Sequence, residues 1–279
     1  MLIETDPRVT AYINLYAVLG TLPLLVERVP EAKQILATVT RPTTISFRIA
    51  GGPRDSLTFT NNAVLTGKDA VPTGKDAVPT AADPRSESAS EPKPATVVLA
   101  FTSVGHFNRV IDGTAQPIPI GAPQRLAFLT RVFSPLTDLL GTYLRPTEEL
   151  LSDPQRRETS IILTMHVAAA ALAQVANHDR SGQFSAHNIP DGDVALEVTG
   201  GPAYHLRLHG HHATFVAAPS ESPRGALTFS SLAVAGGILS GDLSAIVCIS
   251  DGRLSMRGYI AMVDNVNRIL DRVGHYLGK

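Results

Sequence analysis

Four histidines crowd one short stretch of this chain, His205, His209, His211 and His212. Imidazole nitrogens ligate zinc and similar borderline metals, so their spacing is the first question. On an extended strand His205 and His209 share a face, but Arg207 stands between them and its cation disfavours a metal. His211 and His212 would point to opposite sides, so a solvated hairpin is the preferred reading and no metal site is expected. Cys248 is the only cysteine, which excludes an intrachain disulfide and any multi-cysteine metal site. In the middle of an apolar run its thiol is expected to stay protonated and inert. Ser230 and Ser231 stand where a short helical pattern begins, as caps rather than nucleophiles. Asp264, Arg268 and Asp271, at i, i+4 and i+7, could act as acid and base at a cavity mouth, but exposed ion pairing is the simpler reading. The sequence has no Gly-x-Ser-x-Gly elbow, phosphate loop or dinucleotide fingerprint. Its two Gly-Gly-Pro turns lack the helix start that a phosphate site needs. No cofactor is expected.

The elements that position these residues come from a chain of 279 residues, 44% hydrophobic and 18% charged, long enough for two packed units. With a net charge of −1 there is no basic excess to neutralise phosphates, so nucleic acid is not an expected partner. A lone thiol and an N-terminus without a basic region predict a reducing, cytoplasmic setting and no signal peptide. Residues 12–26 and 161–176 are apolar but interrupted, by Asn14, Gly20 and Pro23 and by Thr164, His166 and Gln174. A membrane span needs about 20 mostly apolar residues. Both stretches fall short of that and read as core helices, so no integral membrane segment is expected.

The chain aligns with itself. Thr5-Asp6-Pro7-Arg8 recurs as Ser152-Asp153-Pro154-Gln155, an offset of 147, each an aspartate cap before a proline that starts a helix. The run ISFRIAGGP from Ile45 matches VALEVTGGP from Val194 at an offset of 149, each a strand entering a tight turn. LAFTSVGHFNRVIDG from Leu99 matches LTFSSLAVAGGILSG from Leu227 at an offset of 128. That drop of 21 residues equals the extra length between Phe59 and Phe101 over Leu208 and Phe229. Gly141-Thr142-Tyr143-Leu144 pairs with Gly274-His275-Tyr276-Leu277 at the ends of two apolar helices. Four blocks in order indicate duplication, with units at 1–146 and 147–279. The extra segment, about 64–95, holds GKDAVPT twice and then a Ser/Glu/Pro stretch, which predicts a disordered surface loop.

In the second copy the pattern predicts a helix over 154–176 and strands over 194–198, 204–209 and 212–217. A short helix over 230–239 follows. Residues 243–249 are apolar on both faces, as in a central strand. Asp251-Gly252 then supplies a hairpin turn into an alternating strand, 253–260. Met262, Val263, Val266, Ile269, Leu270, Val273, Tyr276 and Leu277 form one stripe along a closing helix.

The run GDLSAIVCISDGRLSMRGYIAMVDNVNRIL, residues 241–270, resembles the C-terminal core of sterol carrier protein type-2 domains. The shared pattern is a Gly-x-Leu, the turn Gly252-Arg253-Leu254, the pair Arg257-Gly258 and an apolar final helix. LTFSS from Leu227 resembles the family's entry into its short helix. The first copy departs from the pattern, with Pro117 and Pro119 where the fourth strand should run, which suits an edge or broken strand. The resemblance implies an α+β fold of two tandem sterol-carrier-like units. Each would be a mixed five-stranded sheet covered by helices on one face, with an apolar tunnel between sheet and helices.

A small hydrophobic ligand is therefore the expected partner, a sterol, fatty acyl chain or similar lipid, held by a carrier or transfer protein. The expected pocket lies in the second copy, lined by Leu232, Ile238, Ile246, Cys248, Leu254, Met256, Val266 and Leu270. Pro117, Pro119 and Pro135 should distort its counterpart in the first. The rival reading is a cofactor-independent enzyme that folds a terpenoid or polyketide-like substrate for cyclisation or isomerisation. A third option is a scaffold, in which duplication serves pairing of the copies with each other or of two chains as a homodimer.

Overall fold

Asp6 and Asp153 hold extended backbone ahead of a proline, and each caps a helix. Asp6 Oδ1 accepts from Arg8 N at 2.7 Å, and Asp153 Oδ1 from Gln155 N at 2.8 Å and Arg156 N at 3.2 Å. The computed structural model describes residues 5–67, 95–120 and 123–278. Its first helix runs as α1 (Pro7–Ile13), a π turn at Asn14–Val18, a 3-10 turn at Leu19–Thr21 and α2 (Leu22–Arg28). After α3 (Pro30–Ala37) come β1 (Thr43–Ile49), β2 (Arg54–Phe59), β3 (Val64–Thr66), β4 (Ala95–Phe101), α4 (Val104–Ile111) and β5 (Ile118–Ile120). A closing helix follows as α5 (Pro123–Phe128), a π turn at Leu129–Phe133 and α6 (Ser134–Leu144), and α7 (Glu148–Ser152) leads into the second half. There, α8 (Pro154–His178) and α9 (Arg180–His187) precede β6 (Gly192–Val198), β7 (Ala203–His209), β8 (His212–Val216) and β9 (Gly225–Phe229). The chain ends with α10 (Leu232–Ser240), α11 (Ala245–Ser250), β10 (Leu254–Gly258) and α12 (Ile260–Tyr276).

Two mixed five-stranded sheets result, ordered β3-β2-β1-β4-β5 and β10-β9-β6-β7-β8. In each, the central strand is parallel to one neighbour and antiparallel to the other. Ile45 pairs with Leu57 and Val97, and Val194 pairs with Leu206 and Gly225. These registers carry the offsets of 149 and 128 read from the sequence. The outer pairs agree as well, Phe59 with Val64 and Leu208 with Ala213. One face of each sheet packs on helices through alternating residues, Ile45, Phe47 and Ile49 in β1 and Val194, Leu196 and Val198 in β6. The first helix and α8 serve both cores. Val9, Ile13 and Ala17 pack into the second core and Ala11, Leu15 and Leu19 into the first, where Leu163 of α8 joins them.

Several expectations need correction. Residues 243–249 do not form a central strand; Ala245–Ser250 is a helix, and the Asp251-Gly252 turn joins it to β10 rather than closing a hairpin. A short apolar run fits either state, and here the parallel neighbour of β6 is already β9. The membrane test based on interrupted stretches understated the helices. The spans Pro7–Arg28 and Pro154–His178 reach 22 and 25 residues and are apolar enough to cross a bilayer, with 61% and 78% of their apolar windows buried inside the fold. At the start of the expected loop, Val64–Thr66 is strand; the tandem repeat and the Ser/Glu/Pro stretch at 68–94 lie outside the described residues. Pro119 sits in the edge strand β5 opposite Leu99. Pro135 lies in the first turn of α6, directly after a π turn, so the closing helix continues past it.

Candidate functional site

A cavity of about 1100 Å³ opens between α8, α10 and the turn from β6 to β7. Its apolar wall comes from Ile161 and Ile162 on α8, Val198 at the end of β6, and Leu232 and Leu239 on α10, with Leu144 added from the end of α6 and Leu151 from α7. Arg28, Arg157, Glu158 and Asp242 are exposed and supply its polar border. The volume lies just above the usual range of ligand sites, about 300–1,000 Å³.

Local chemistry explains why α10 stands there. Ser231 is extended (φ −157°, ψ 163°) and its hydroxyl accepts from Val234 N at 3.3 Å, which starts the helix. Gly241, at φ 84°, ends it in the left-handed region that glycine enters freely. Between them, Gly236 lies so near α8 that a Cβ would come within 2.8 Å of Ile161 Cδ1. Gly200, at φ 70°, turns the chain from β6 to β7 and forms another part of the wall.

The structure distributes the ligand-binding residues expected from sequence. Leu232 borders the cavity, and Ile238 and Leu270 are half-buried against the second core. Cys248, Leu254 and Val266 are buried within that core. Ile246 is 79% exposed and Met256 37% exposed, so neither faces the cavity. Both placements follow from the strand that became a helix. On α11 Cys248 turns inward and Ile246 outward, and β10 becomes an edge strand beyond β9. Sequence reasoning missed Ile161, Leu239 and the β6–β7 turn as cavity walls, although the Gly-Gly-Pro turn itself was visible.

Two solved structures resemble parts of this chain. A solution structure of the sterol carrier protein domain 2 of Helicoverpa armigera aligns at 12% identity and a TM-score of 0.34, covering 40% of this chain and 89% of its own. A structure described as UbiJ-SCP2, a ubiquinone synthesis protein, aligns at 13% identity and a TM-score of 0.30, covering 38% of this chain and 96% of its own. No protein-family model matches the chain, and no curated protein matches it significantly.

The other chemistry-bearing residues are held by separate partners. His205 is buried, with Nδ1 2.8 Å from Ala218 O and Nε2 3.2 Å from Arg207 Nη2. Nε2 also lies 3.5 Å from Asp193 Oδ2. Arg207 also forks onto Asp193 at 2.9 and 3.0 Å, and Ser220 Oγ donates to the same carboxylate at 2.8 Å. The Arg207 hydrogen bonds hold the Asp193 carboxyl down at about 2, below its ordinary value, against the opposing effect of burial. Because Ser220 contacts the carboxylate and not the imidazole, this is a clamp tying the 217–224 loop to the sheet and not a nucleophile. His209 meets Asp191 at 2.9 Å, and His211 stacks on His187 at 3.9 Å. Among the described residues no group of three or more His, Cys, Asp or Glu side chains is placed to hold a metal ion. Ser231 is a cap, and Asp264 pairs with Arg268 across one helical turn at 3.1 Å.

One buried polar residue had left only a trace in the sequence, as an interruption of an apolar run. His166 on α8 is 9% exposed, lies edge-on to Tyr204 and Phe215 with ring centroids 5.3 and 5.0 Å away, and has an Nδ1 without a hydrogen-bond partner. Burial alone pushes it down to about 4, so the imidazole is neutral at physiological pH. An unpaired buried polar atom costs about 1–3 kcal/mol.

Proposed function

We propose that this chain binds a lipid-like molecule, a sterol, fatty acyl chain or similar, in the cavity beside α10, and acts as its carrier or transfer protein. The cavity itself carries the reading. It is a large space with an apolar wall of Ile161, Ile162, Val198, Leu232 and Leu239, and the four charged residues among its lining, Arg28, Arg157, Glu158 and Asp242, are all exposed. The sterol-carrier-like run supports it. Gly252-Arg253-Leu254 enters β10, Arg257-Gly258 ends it, and the apolar stripe follows on α12. We further propose that the halves are duplicated units, 1–146 and 147–279, because five strands repeat with one order and one set of registers. A cytoplasmic carrier of this kind would use the second unit for cargo.

Native mass spectrometry with lipid extraction, on protein purified without added ligand, tests the reading. Ala233 is exposed on α10 at the cavity, so Ala233→Trp fills the space without disturbing the core. An apolar molecule should accompany the wild-type chain and fall by about tenfold or more in the variant, a change of about 1.4 kcal/mol. Absence of any such molecule, together with no saturable binding across a broad lipid panel, would overturn it.

A further inference from the structure

We propose that β10 is a pairing edge for a second copy of this chain. The two β10 strands run antiparallel with Met256 opposite the partner's Met256, and the two second-half sheets of five strands join into one. The existing hydrogen bonds identify the open groups. Ser230 N donates to Arg253 O at 2.9 Å and Tyr259 N to Arg224 O at 2.8 Å, at the two ends of the β9–β10 ladder. Bonded and non-bonded pairs alternate along an antiparallel ladder. Ser255 and Arg257 therefore bond to β9 as well, while Leu254, Met256 and Gly258 turn their N–H and C=O outward. None of these three has a backbone partner outside the sheet among the described residues.

The other sheet edges are blunted. β3 and β5 have three residues each, and Pro119 stands at the centre of β5. On β8 the Asn177 amide already takes up the Ala213 N–H and C=O, at 2.9 and 2.8 Å. β10 has five residues and no proline, so its open groups form a template for another strand. The surface around it is apolar. Six of the ten large hydrophobic residues exposed in the described chain are Ile246, Val247 and Ile249 on α11, then Met256, Tyr259 and Ile260. Grouped within one short segment, they form a patch of the kind that marks an interaction site. Met256 alternates with buried Leu254 and so belongs to the helix-covered face, where Cys248 also anchors α11 in the core. A two-fold axis at Met256 brings both apolar patches to one side of the joined sheet.

Charge selects the register. With Met256 at the axis, Leu254 pairs with the partner's Gly258, Ser255 faces the partner's Arg257, and Arg253 faces the partner's Tyr259. A slip of one residue sets outward groups against inward ones. A slip of two sets Arg253 against the partner's Arg257, or Arg257 against the partner's Arg257, and like charges directly opposite destabilise a pair. Arginine facing tyrosine is instead attractive. Within its own copy Arg253 pairs closely with Asp251 at 2.7 Å, but Arg257 lies 3.6 Å from Glu197 and is free to answer a group on the facing strand.

Ser255 gives the test, because it is exposed and opposes Arg257 twice in the dimer. Sedimentation equilibrium up to about 1 mM protein covers the range of a weak interface. The wild-type chain should dimerise reversibly. Ser255→Arg should weaken the dimer by about threefold or more, and Ser255→Glu should strengthen it by a similar factor. Amide hydrogen exchange at Leu254 and Met256 should slow as the concentration rises. A monomer throughout, a dimer whose affinity does not move in opposite directions in the two variants, or exchange at Leu254 and Met256 that is independent of concentration would each overturn the proposal. A chain that stays monomeric but floats with phosphatidylcholine vesicles would assign the patch to a bilayer and overturn it as well. The pairing does not involve the cavity beside α10, so the carrier reading stands or falls separately.

Discussion

In the first half, Phe47, Phe59, Phe101, Phe107 and Phe133 interlock between the sheet and its helices, with ring centroids 4.9 to 6.5 Å apart. In the second half, the positions that match four of these by the offsets of 149 and 128 are Leu196, Leu208, Phe229 and Ala235. Strand order and register are alike, so the backbone does not decide which half has room for a guest. Side-chain volume is what differs between them. Phe107 and Ala235 occupy the same place on α4 and α10 and both are fully buried, one as a phenyl ring and the other as a methyl group. Next to Ala235, Gly236 and Gly237 thin the helix further, and α8 contributes a run of buried alanines, from Ala168 to Ala171. The contrast moves the explanation away from the prolines of the first half, which the edge strand and a π turn accommodate. What packs the core of that half is phenyl rings.

The contrast can be broken most severely at Phe107. Phe107→Ala should cost about 3–5 kcal/mol in urea unfolding, since a buried ring leaves a cavity that the sheet cannot collapse into. A loss below about 1 kcal/mol would mean that the first half is not filled as described. A comparable effect is expected from acid at His166, where the first half carries Leu19 at the offset of 147. The unfolded chain protonates near 6.5 and the folded one near 4, so stability is full above 6.5 and falls as the pH drops through that window. The loss should reach about 3 kcal/mol by pH 4, and thermal melts of His166→Phe should lack that part of the acid dependence.

Finer tests compare sites within the second half. Ala233→Trp should leave unfolding free energy within about 1 kcal/mol while removing the cargo, which separates the cavity from the core. Met256→Glu should change stability by no more than about 0.5 kcal/mol and leave lipid binding intact, because Met256 is exposed on an edge strand. Loss of binding in Met256→Glu would restore a pocket beneath β10.

Local chemistry was the legible part of this chain. Asp6 and Asp153 announce their helices through the Asp-Pro pair, Ser231 announces α10, and the Gly-Gly-Pro turns fix where β1 and β6 end. Those same blocks carried the register of both sheets, since an offset preserved between paired strands preserves the pairing. Residues 243–249 were illegible because an apolar run of that length satisfies helix and strand alike, and β9 had already taken the place beside β6. The α10 cavity was hidden for a different reason. It depends on which distant rings fill a space, and only Leu232 among the expected residues reaches it.

The central proposal is that cargo lies in the second half, where small residues stand in place of phenyl rings of the first. Photo-crosslinking with a diazirine-bearing fatty acid, competed by unlabelled lipid and mapped by peptide sequencing, reads this directly. Competable label is expected on α8 near Ile161 and Ile162 and on α10 near Leu232 and Leu239. Competable label concentrated on β1, β4 and α4 of the first half would contradict it.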